Sequence, residues 1–266
     1  MNTPRWIALL AALALTAGSA LAQPTPPGWT PLFNGKDLSG WTAHWSQKPI
    51  DKRSPASLFT VENGVIHVYA KDKAGSRQAQ AFIQTEAEHS NYRLSLEYKW
   101  GAKKFQPRVV EGRDAGLLYH AHGGEPLSWP LGLEFQIEDG DTGDLWTLST
   151  RATSSVLPET GRYAPATAGG VPTTVGAPGD YGRVRHGALS ELPEAWNTLE
   201  LIVKGDRATH IVNGFVSLRA HDLKRWDATS KAWVPLVSGK LALLAESTEI
   251  FYRNIRIRPL TADEMQ

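Results

Sequence analysis

The chain of 266 residues contains no cysteine. This absence excludes disulfide bonds, thiol nucleophiles and cysteine-based zinc or iron–sulfur centres, and it leaves His, Asp, Glu and Asn as metal ligands. Neither sign of charge is in excess, because 28 Lys and Arg against 27 Asp and Glu give a formal net charge of +1. A strongly basic nucleic-acid-binding protein and an acidic disordered protein are therefore excluded. No glycine-rich dinucleotide fingerprint follows a strand, so we expect no redox cofactor.

Long apolar runs are scarce, and the one of interest lies at the amino terminus. Segment 1–22 carries Arg5, then the apolar run 6–17, then the small-x-small pattern Ala20-Leu21-Ala22. The run is shorter than the roughly 20 residues that cross a bilayer. We therefore expect a signal peptide over 1–22, cut after Ala22, and a periplasmic or secreted protein with no membrane anchor.

Alternation of apolar and polar residues dominates the rest of the chain and is typical of β-strands. The turn Asn63-Gly64 within 58–68 is a strong hairpin signal. Further alternating segments are 92–100, 117–122, 133–138, 198–204, 209–212, 240–245 and 250–258. Short strands separated by turn signals predict an all-β fold, a two-sheet antiparallel sandwich of jelly-roll type.

One stretch lacks this alternation. Residues 150–193 are rich in Ala, Thr, Gly and Pro, with no sustained period. We interpret them as a long irregular loop, which either wraps a binding site or is mobile. No internal repeat or domain boundary is evident, so we expect a single domain over 23–266.

Five segments, in this order, carry a resemblance that spans 29–260. They are Leu32–Trp41, Gly132–Ile137, Trp196–Thr198, His210–Gly214 and Tyr252–Ile257. Together they resemble the 3-keto-disaccharide hydrolase family. The resemblance implies a concanavalin-A-like sandwich and cleavage of glycosides whose sugar is a ketone at C3. Leu244 stands where this family often has Gln, and His120 where Arg is common.

A C3 ketone acidifies the hydrogen on C2 of the sugar. The resemblance therefore implies proton abstraction at C2, elimination of the aglycone from C1 and addition of water to the enone. Such a reaction needs a base near C2, donors or a divalent cation at the enolate oxygen, and an acid for the leaving group. The partner expected is a small carbohydrate substrate.

Segment 133–138 carries the richest site signal. Leu133, Phe135 and Ile137 share one parity, while Glu134, Gln136 and Glu138 share the other. A polar row of this kind is often a solvated outer face. Because the resemblance places this strand on the concave face, we expect Glu134 to be the catalytic base, with Gln136 beside it.

The neighbouring segment contributes histidines. His120 and His122 share parity with Leu118, a spacing that suits an acid/base couple or metal ligation. His120 is a candidate catalytic residue and His122 a candidate substrate-binding one. Arg113 precedes this segment and can hold a sugar hydroxyl or an enolate, although a surface ion pair explains it equally well.

Directly after Glu138 comes an acidic loop with Asp139, Asp141 and Asp144. Its spacing suits a hard cation such as Ca²⁺ in part, but turn chemistry explains the same residues, and both interpretations stay open. Trp146 offers a ring for stacking on a sugar. Glu246 matches an acidic position of the family and is a candidate substrate-binding carboxylate.

Two function classes remain at this stage. An enzyme acting on 3-keto-glycosides is favoured by the ionisable groups, and a non-catalytic carbohydrate-binding module is the alternative, because the fold serves both. A glycosidase using Glu134 and Glu138 as paired carboxylates fits less well. An i, i+4 pair on a strand is separated by roughly 13 Å, beyond the usual carboxylate spacing.

Overall fold

The computed structural model describes residues 26–265, and the expected signal peptide 1–22 lies outside them. Within that range the chain forms strands joined by turns, two short 3₁₀ segments (Pro55–Leu58 and Ala166–Ala168) and one helical turn, α1 (Ala262–Met265). The strands are β1 (Thr30–Pro31), β2 (Trp41–Trp45), β3 (Phe59–Glu62), β4 (Val65–Val68), β5 (Ala81–Thr85), β6 (Tyr92–Lys104), β7 (Asp114–His122), β8 (Leu131–Glu138), β9 (Leu145–Leu148), β10 (Thr150–Val156), β11 (Val171–Val175), β12 (Tyr181–Val184), β13 (Asn197–Lys204), β14 (Arg207–Val212), β15 (Phe215–Asp227), β16 (Ala232–Pro235), β17 (Lys240–Ala245) and β18 (Thr248–Pro259). No helix in this part of the chain is long and apolar enough to cross a membrane.

The strands of the described range form two antiparallel sheets. The larger, eleven-stranded sheet runs β11-β10-β15-β14-β13-β6-β18-β4-β3, with β1 added to β18 and β16 to β15. The seven-stranded sheet runs β12-β9-β8-β7-β17-β5-β2. Neighbours in space are often far apart in sequence, as in a jelly roll. The expected all-β sandwich is confirmed.

Local sequence explains why these strands form. The expected hairpin is β3 and β4, and Asn63 and Gly64 between them have φ values of 51° and 79°. Positive φ at both turn residues is what a tight two-residue hairpin requires, and Asn-Gly adopts it at low cost. In β13, buried and half-buried residues alternate along the whole strand. Period-two alternation therefore identified the strands that have one face in the core.

The main core lies between the two sheets. Tyr98, Phe135 and Tyr252 are among its fully buried side chains. A second, smaller apolar cluster lies on the other side of the seven-stranded sheet, away from this core. Its buried members are Phe82, Leu118, Ala121, Leu148, Ala242 and Leu244, and Trp129 and Trp146 pack against them. The outer face of this sheet is thus built to cover apolar surface as well as polar groups.

The prediction of an irregular loop over 150–193 is wrong. Residues Thr150–Val156 pair with β15, and Val171–Val175 pair with β10, so both strands extend the eleven-stranded sheet. In β10, Ser and Thr stand at buried positions where alternation would predict apolar residues. Burial is tolerated there because hydrogen bonds satisfy the buried hydroxyls. Ser154 donates to the carbonyl of Arg219 at 2.7 Å. The following strand, β12, forms an edge of the other sheet and brings this segment to the outer face described next.

Candidate active site

Strand β8 places a polar row on the outer face of the seven-stranded sheet. Leu133, Phe135 and Ile137 belong to the main core. Glu134 and Gln136 are nearly buried as well, but they point to the opposite side and line a cleft with Glu138. Alternation along a strand requires this division once the odd-numbered residues are committed to the core.

The cleft has a volume of about 290 Å³ and is open on one side. Its lining residues come from strands β7, β8, β9, β12 and β17 and from the loops that flank these strands. They are Arg108, Asp114, Trp129, Glu134, Gln136, Glu138, Trp146, Leu148, Tyr181, Arg183, Leu244 and Glu246. Chemical character changes along β8, so we describe a charged half, the Glu134 position and an apolar half.

The charged half consists of Asp114, Glu138, Glu246, Gln136 and Arg108. Asp114 lies opposite Glu138 in the β7–β8 register. Arg108 forms an ion pair with Asp114, and its guanidinium nitrogens lie 3.9 Å from Oε1 of Glu138 and 3.7 Å from Oε2 of Glu246. Gln136 donates from Nε2 to Asp114 at 2.9 Å and to Glu138 at 3.0 Å. One guanidinium thus serves three carboxyl groups of the cleft, as well as Glu111 outside it, and an amide links two of the three.

Glu134 lies where the charged half ends. Its carboxyl group lies over Gly116. The absence of a side chain at this glycine leaves the necessary space, since a Cβ there would collide with Oε1 of Glu134. Among residues 26–265, no side chain or backbone group forms a hydrogen bond with this carboxyl. Burial raises the pKa of Glu134 well above its usual value, and the charges of Asp114 and Glu138 add to the effect.

Burial acts in the same direction on Glu246 and Asp114. Burial, followed by the charges of Asp114 and Glu134, raises the pKa of Glu246 well above its usual value. Burial raises the pKa of Asp114 to about 7, although the Arg108 guanidinium opposes the shift. Four carboxyl groups around one cation cannot all be ionised near neutral pH, so the cluster keeps protons that can be exchanged.

The apolar half continues β8 beyond Glu134. Gly132 is paired there with Leu148, and Leu148 with Tyr181. Leu148 belongs to the small outer cluster, against which Trp129 and Trp146 pack. Tyr181 is 61% exposed at the mouth. Within the described chain, the residues lining this half carry no carboxyl group.

The acidic loop after β8 combines a possible metal-binding triad with an ion-pair network around Arg183. Asp141, Asp144 and His186 place one ligand atom each within 4.8 Å of one another. Arg183, however, lies 2.6 Å from carboxylate oxygens of both Asp141 and Asp144. The fully buried Asp144 also accepts from the backbone N–H of His186 at 2.7 Å and lies 2.6 Å from its Nδ1. These residues form a possible metal-binding triad, and a divalent cation there would have to displace the guanidinium from one oxygen of each aspartate.

This network supports the cleft wall. The Arg183 guanidinium lies 5.0 Å from the centre of the Trp146 ring, and the two residues are paired in the β9–β12 register. Asp139 takes no part in it. Asp139 instead pairs with Arg113 at 2.9 Å. Arg113 therefore does not line the cleft, and the surface ion-pair interpretation is the one observed.

The histidines of β7 are also placed differently from expectation. Pairing of β7 with β8 is irregular between Tyr119 and His122, and His120 has a φ of 51°. This bulge shifts the parity of the strand, so that Ala121 instead of His120 joins Leu118 in the outer cluster. His120 is buried with its ring near Tyr92 and Tyr119 of the main core, and burial lowers its pKa to about 4.

His122 is half-buried, and its Nδ1 lies 2.9 Å from the carbonyl oxygen of His120. Neither histidine lines the cleft. Of the residues singled out from sequence, the cleft brings together Glu134, Gln136, Glu138, Trp146 and Glu246. Sequence reasoning missed Arg108, Asp114, Tyr181 and Arg183. Register with the β8 carboxylates could have identified Asp114, but nothing in the sequence pointed to the loop residue Arg108.

The solved structures similar to this chain include two candidate glycosyl hydrolases from Parabacteroides distasonis. The first is 20% identical, with a TM-score of 0.53, and the match covers 88% of this chain and 94% of that chain. The second is 19% identical, with a TM-score of 0.49, and the match covers 87% and 99%. No curated protein matches the chain. At this identity the first structure supports the fold alone.

Fold and cleft together define a concanavalin-A-like sandwich with a polar cleft on the outer face of its seven-stranded sheet. The chain belongs to the family described as the 3-keto-alpha-glucoside-1,2-lyase-like domain, whose model matches residues 28–258. The resemblance noted in the sequence is confirmed.

Proposed function

We propose that this protein cleaves glycosides of 3-ketosugars by elimination followed by hydration, with Glu134 as the base. The observation that carries the proposal is the position of Glu134: a nearly buried carboxyl with no hydrogen-bonding partner in the described chain, beside a carboxyl cluster that contains only one cation. Burial makes the ionised form of such a group a stronger base than an exposed glutamate.

The reaction balances without a redox step. Ionised Glu134 takes the proton from C2, and the C–H electron pair forms the enolate, with negative charge on the C3 oxygen. The ketone is then restored as the pair moves into a C1–C2 double bond and the C1–O bond breaks, releasing the aglycone oxygen with its bonding pair. Water adds across the enone, with hydroxyl on C1 and a proton on C2, and gives the free 3-ketosugar.

Residues of the charged half provide the remaining functions. Arg108 offers a cationic donor for the enolate oxygen, where negative charge develops. Gln136 holds Asp114 and Glu138 through Nε2, while its buried Oε1 has no partner among residues 26–265 and is free to accept from a sugar hydroxyl. The protonated members of the cluster are the sources of the proton that the enone takes up.

A carbohydrate-binding module is the second candidate function. The aromatic walls formed by Trp129 and Trp146 favour it, because sugar rings stack on such side chains. A binding surface has no need for three carboxyl groups with raised proton affinity, however, so the enzyme remains our proposal. The segment 1–22 supports the further proposal that the protein is exported to the periplasm or the medium.

The test compares a 3-ketoglucoside bearing a chromogenic aglycone with its unoxidised parent, using residues 23–266. Release from the ketone alone supports the proposal. Release from the parent alone identifies an ordinary glycosidase. Binding of either compound without release identifies a binding module.

A further inference from the structure

The direction in which a substrate lies follows from the arrangement of the cleft. In the sugar, C2 is bonded to both C1 and C3, so these atoms lie on opposite sides of the hydrogen that Glu134 removes. The enolate oxygen on C3 needs a cation, and in this cleft the cation not committed to the acidic loop is Arg108, in the charged half. With C3 toward Arg108, the aglycone on C1 extends over the apolar half.

The spacing along β8 agrees with this orientation. Glu138, Gln136, Glu134 and Gly132 follow one another on the outer face, with steps of two residues or roughly 7 Å. A sugar ring centred near Glu134 therefore reaches Gln136 on one side. Its C1 substituent reaches Leu148 on the other.

The apolar half offers little to a second sugar. Leu148 is a nearly buried member of the outer cluster, and it cannot accept or donate hydrogen bonds. Arg183 is cationic, but its Nε and Nη2 are directed at Asp144 and Asp141. An aromatic ring, in contrast, buries its faces against Leu148 and the ring of Tyr181, while Trp146, which is paired with Glu134, lies beside the ketosugar itself.

Leaving-group chemistry leads to the same class of aglycone. Among the described residues that line the apolar half there is no carboxyl to protonate the departing oxygen, and its only hydroxyl belongs to Tyr181, which is 61% exposed at the mouth. A phenol, with a pKa of about 10, departs as an anion far more readily than an alcohol, whose pKa is closer to that of water at about 16.

We propose that the apolar half is an aglycone subsite for aromatic groups, and that the preferred substrates are 3-ketoglycosides of phenols and not 3-keto-disaccharides. This inference rests on the proposed function. The test measures kcat/KM for the 3-keto forms of phenyl glucoside, methyl glucoside and a disaccharide. We expect the phenyl compound to exceed both others by about tenfold or more.

Two variants locate the preference. Leu148→Gln places an amide in the subsite, and Tyr181→Ala removes the exposed ring. Each is expected to reduce the ratio of phenyl to disaccharide kcat/KM several-fold. Leu189→Gln, at an exposed position outside the cleft, is the matched control and should keep the ratio. Tyr181→Ala also covers the case in which Leu148→Gln fails to fold.

Binding separates this inference from the proposed function. Titration of the Glu134→Gln variant with phenyl and disaccharide ligands measures the subsite without turnover. A phenyl preference in binding with no cleavage of any 3-ketoglycoside would uphold the subsite and overturn the reaction. Equal kcat/KM and equal affinity for the phenyl and disaccharide compounds would overturn the subsite and leave the reaction standing.

Discussion

The carboxyl groups of the cleft and those of the acidic loop differ in how their charge is balanced. In the cleft, Asp114, Glu134, Glu138 and Glu246 surround the single guanidinium of Arg108. In the acidic loop, Asp141 and Asp144 share Arg183, and Asp144 also contacts His186.

The difference teaches that the number of counter-ions, more than the number of carboxylates, distinguishes a reactive cluster from a structural one. The loop carboxylates have cationic or donating partners within 3 Å, and they fix a guanidinium against a tryptophan. The cleft carboxylates exceed their counter-ions, so some keep their protons and one can act as a strong base. Substitution of a carboxylate in the cleft should therefore reduce turnover, whereas substitution in the acidic loop should reduce stability.

The largest effect is expected in the cleft. Glu134→Gln keeps the shape of the side chain but removes the base, so we expect kcat to fall by at least about 10²-fold. Thermal unfolding should be unchanged or slightly higher, because a repulsive charge is lost. Glu62→Gln, exposed in the hairpin of the larger sheet, is the control. Near-normal turnover of Glu134→Gln would remove this residue from the reaction.

The opposite damage is expected in the acidic loop. Asp144→Asn leaves the partly buried Arg183 without its main counter-ion, so we expect a loss of about 2 kcal/mol in the free energy of unfolding, measured with urea. Asp141→Asn is the matched comparison, and its loss should be under about 1 kcal/mol because Asp141 is the more exposed partner. Equal losses in the two variants would show that burial of Asp144 is not what makes it important.

A smaller effect concerns pH. The raised pKa of Glu134 means that the folded protein holds a proton which the unfolded chain releases above its ordinary pKa. The contribution of the Glu134 carboxyl to the free energy of unfolding is therefore fully present at low pH, and it declines as pH rises toward the raised pKa. The Tm of Glu134→Gln, relative to wild type, should therefore increase from pH 5 to pH 8, by roughly 2 °C.

The Tm of the variant must be compared with that of the wild type, because the buried histidines change stability with pH in the opposite direction. Burial lowers the pKa of both His120 and His210 to about 4, so both oppose folding increasingly as pH falls below about 6.5. Their contribution is the same in both proteins and cancels. A Tm difference that stays constant across this range would mean that the pKa of Glu134 is not raised. In turnover, kcat/KM should rise over the same pH interval, since the base must be ionised.

The smallest effect is expected from divalent cations. Since Arg183 occupies the oxygens of Asp141 and Asp144, a chelator should leave turnover unchanged, and 1 mM Ca²⁺ or Mg²⁺ should leave the Tm within about 0.5 °C. A cation bound at 100 times its Kd would stabilise the fold by about 2.7 kcal/mol, which thermal unfolding detects easily. Such a rise would show that the cation displaces the guanidinium.

Sequence patterns predicted the fold where one strand face is apolar. β8 and β13 were identified because their buried residues are large and alternate with polar ones. β10 was missed because Ser and Thr occupy three of its five buried positions, and their hydroxyls are satisfied by partners outside the strand, such as the carbonyl of Arg219 for Ser154. Local composition carries no information about such partners.

Some residues of the candidate site could be predicted from strand parity, and others could not. Glu134 and Gln136 followed from parity, which holds along an unbroken strand. His120 did not, because a bulge reverses parity and nothing in the residues 119–122 marks it. Arg108 reaches the cleft from a loop, so its role depends on tertiary structure alone.

The position of β18 has a consequence for how the protein is made. This last strand lies in the middle of the larger sheet, between β6 and β4, and also pairs with β1. The strands on either side of it therefore cannot be joined until residue 259 has been added. Contacts between the two ends of a chain form slowly, because a long loop must close first. Completion of this sheet must then wait until the chain through residue 259 has left the ribosome, so the sheet closes only after all of its strands have been synthesised.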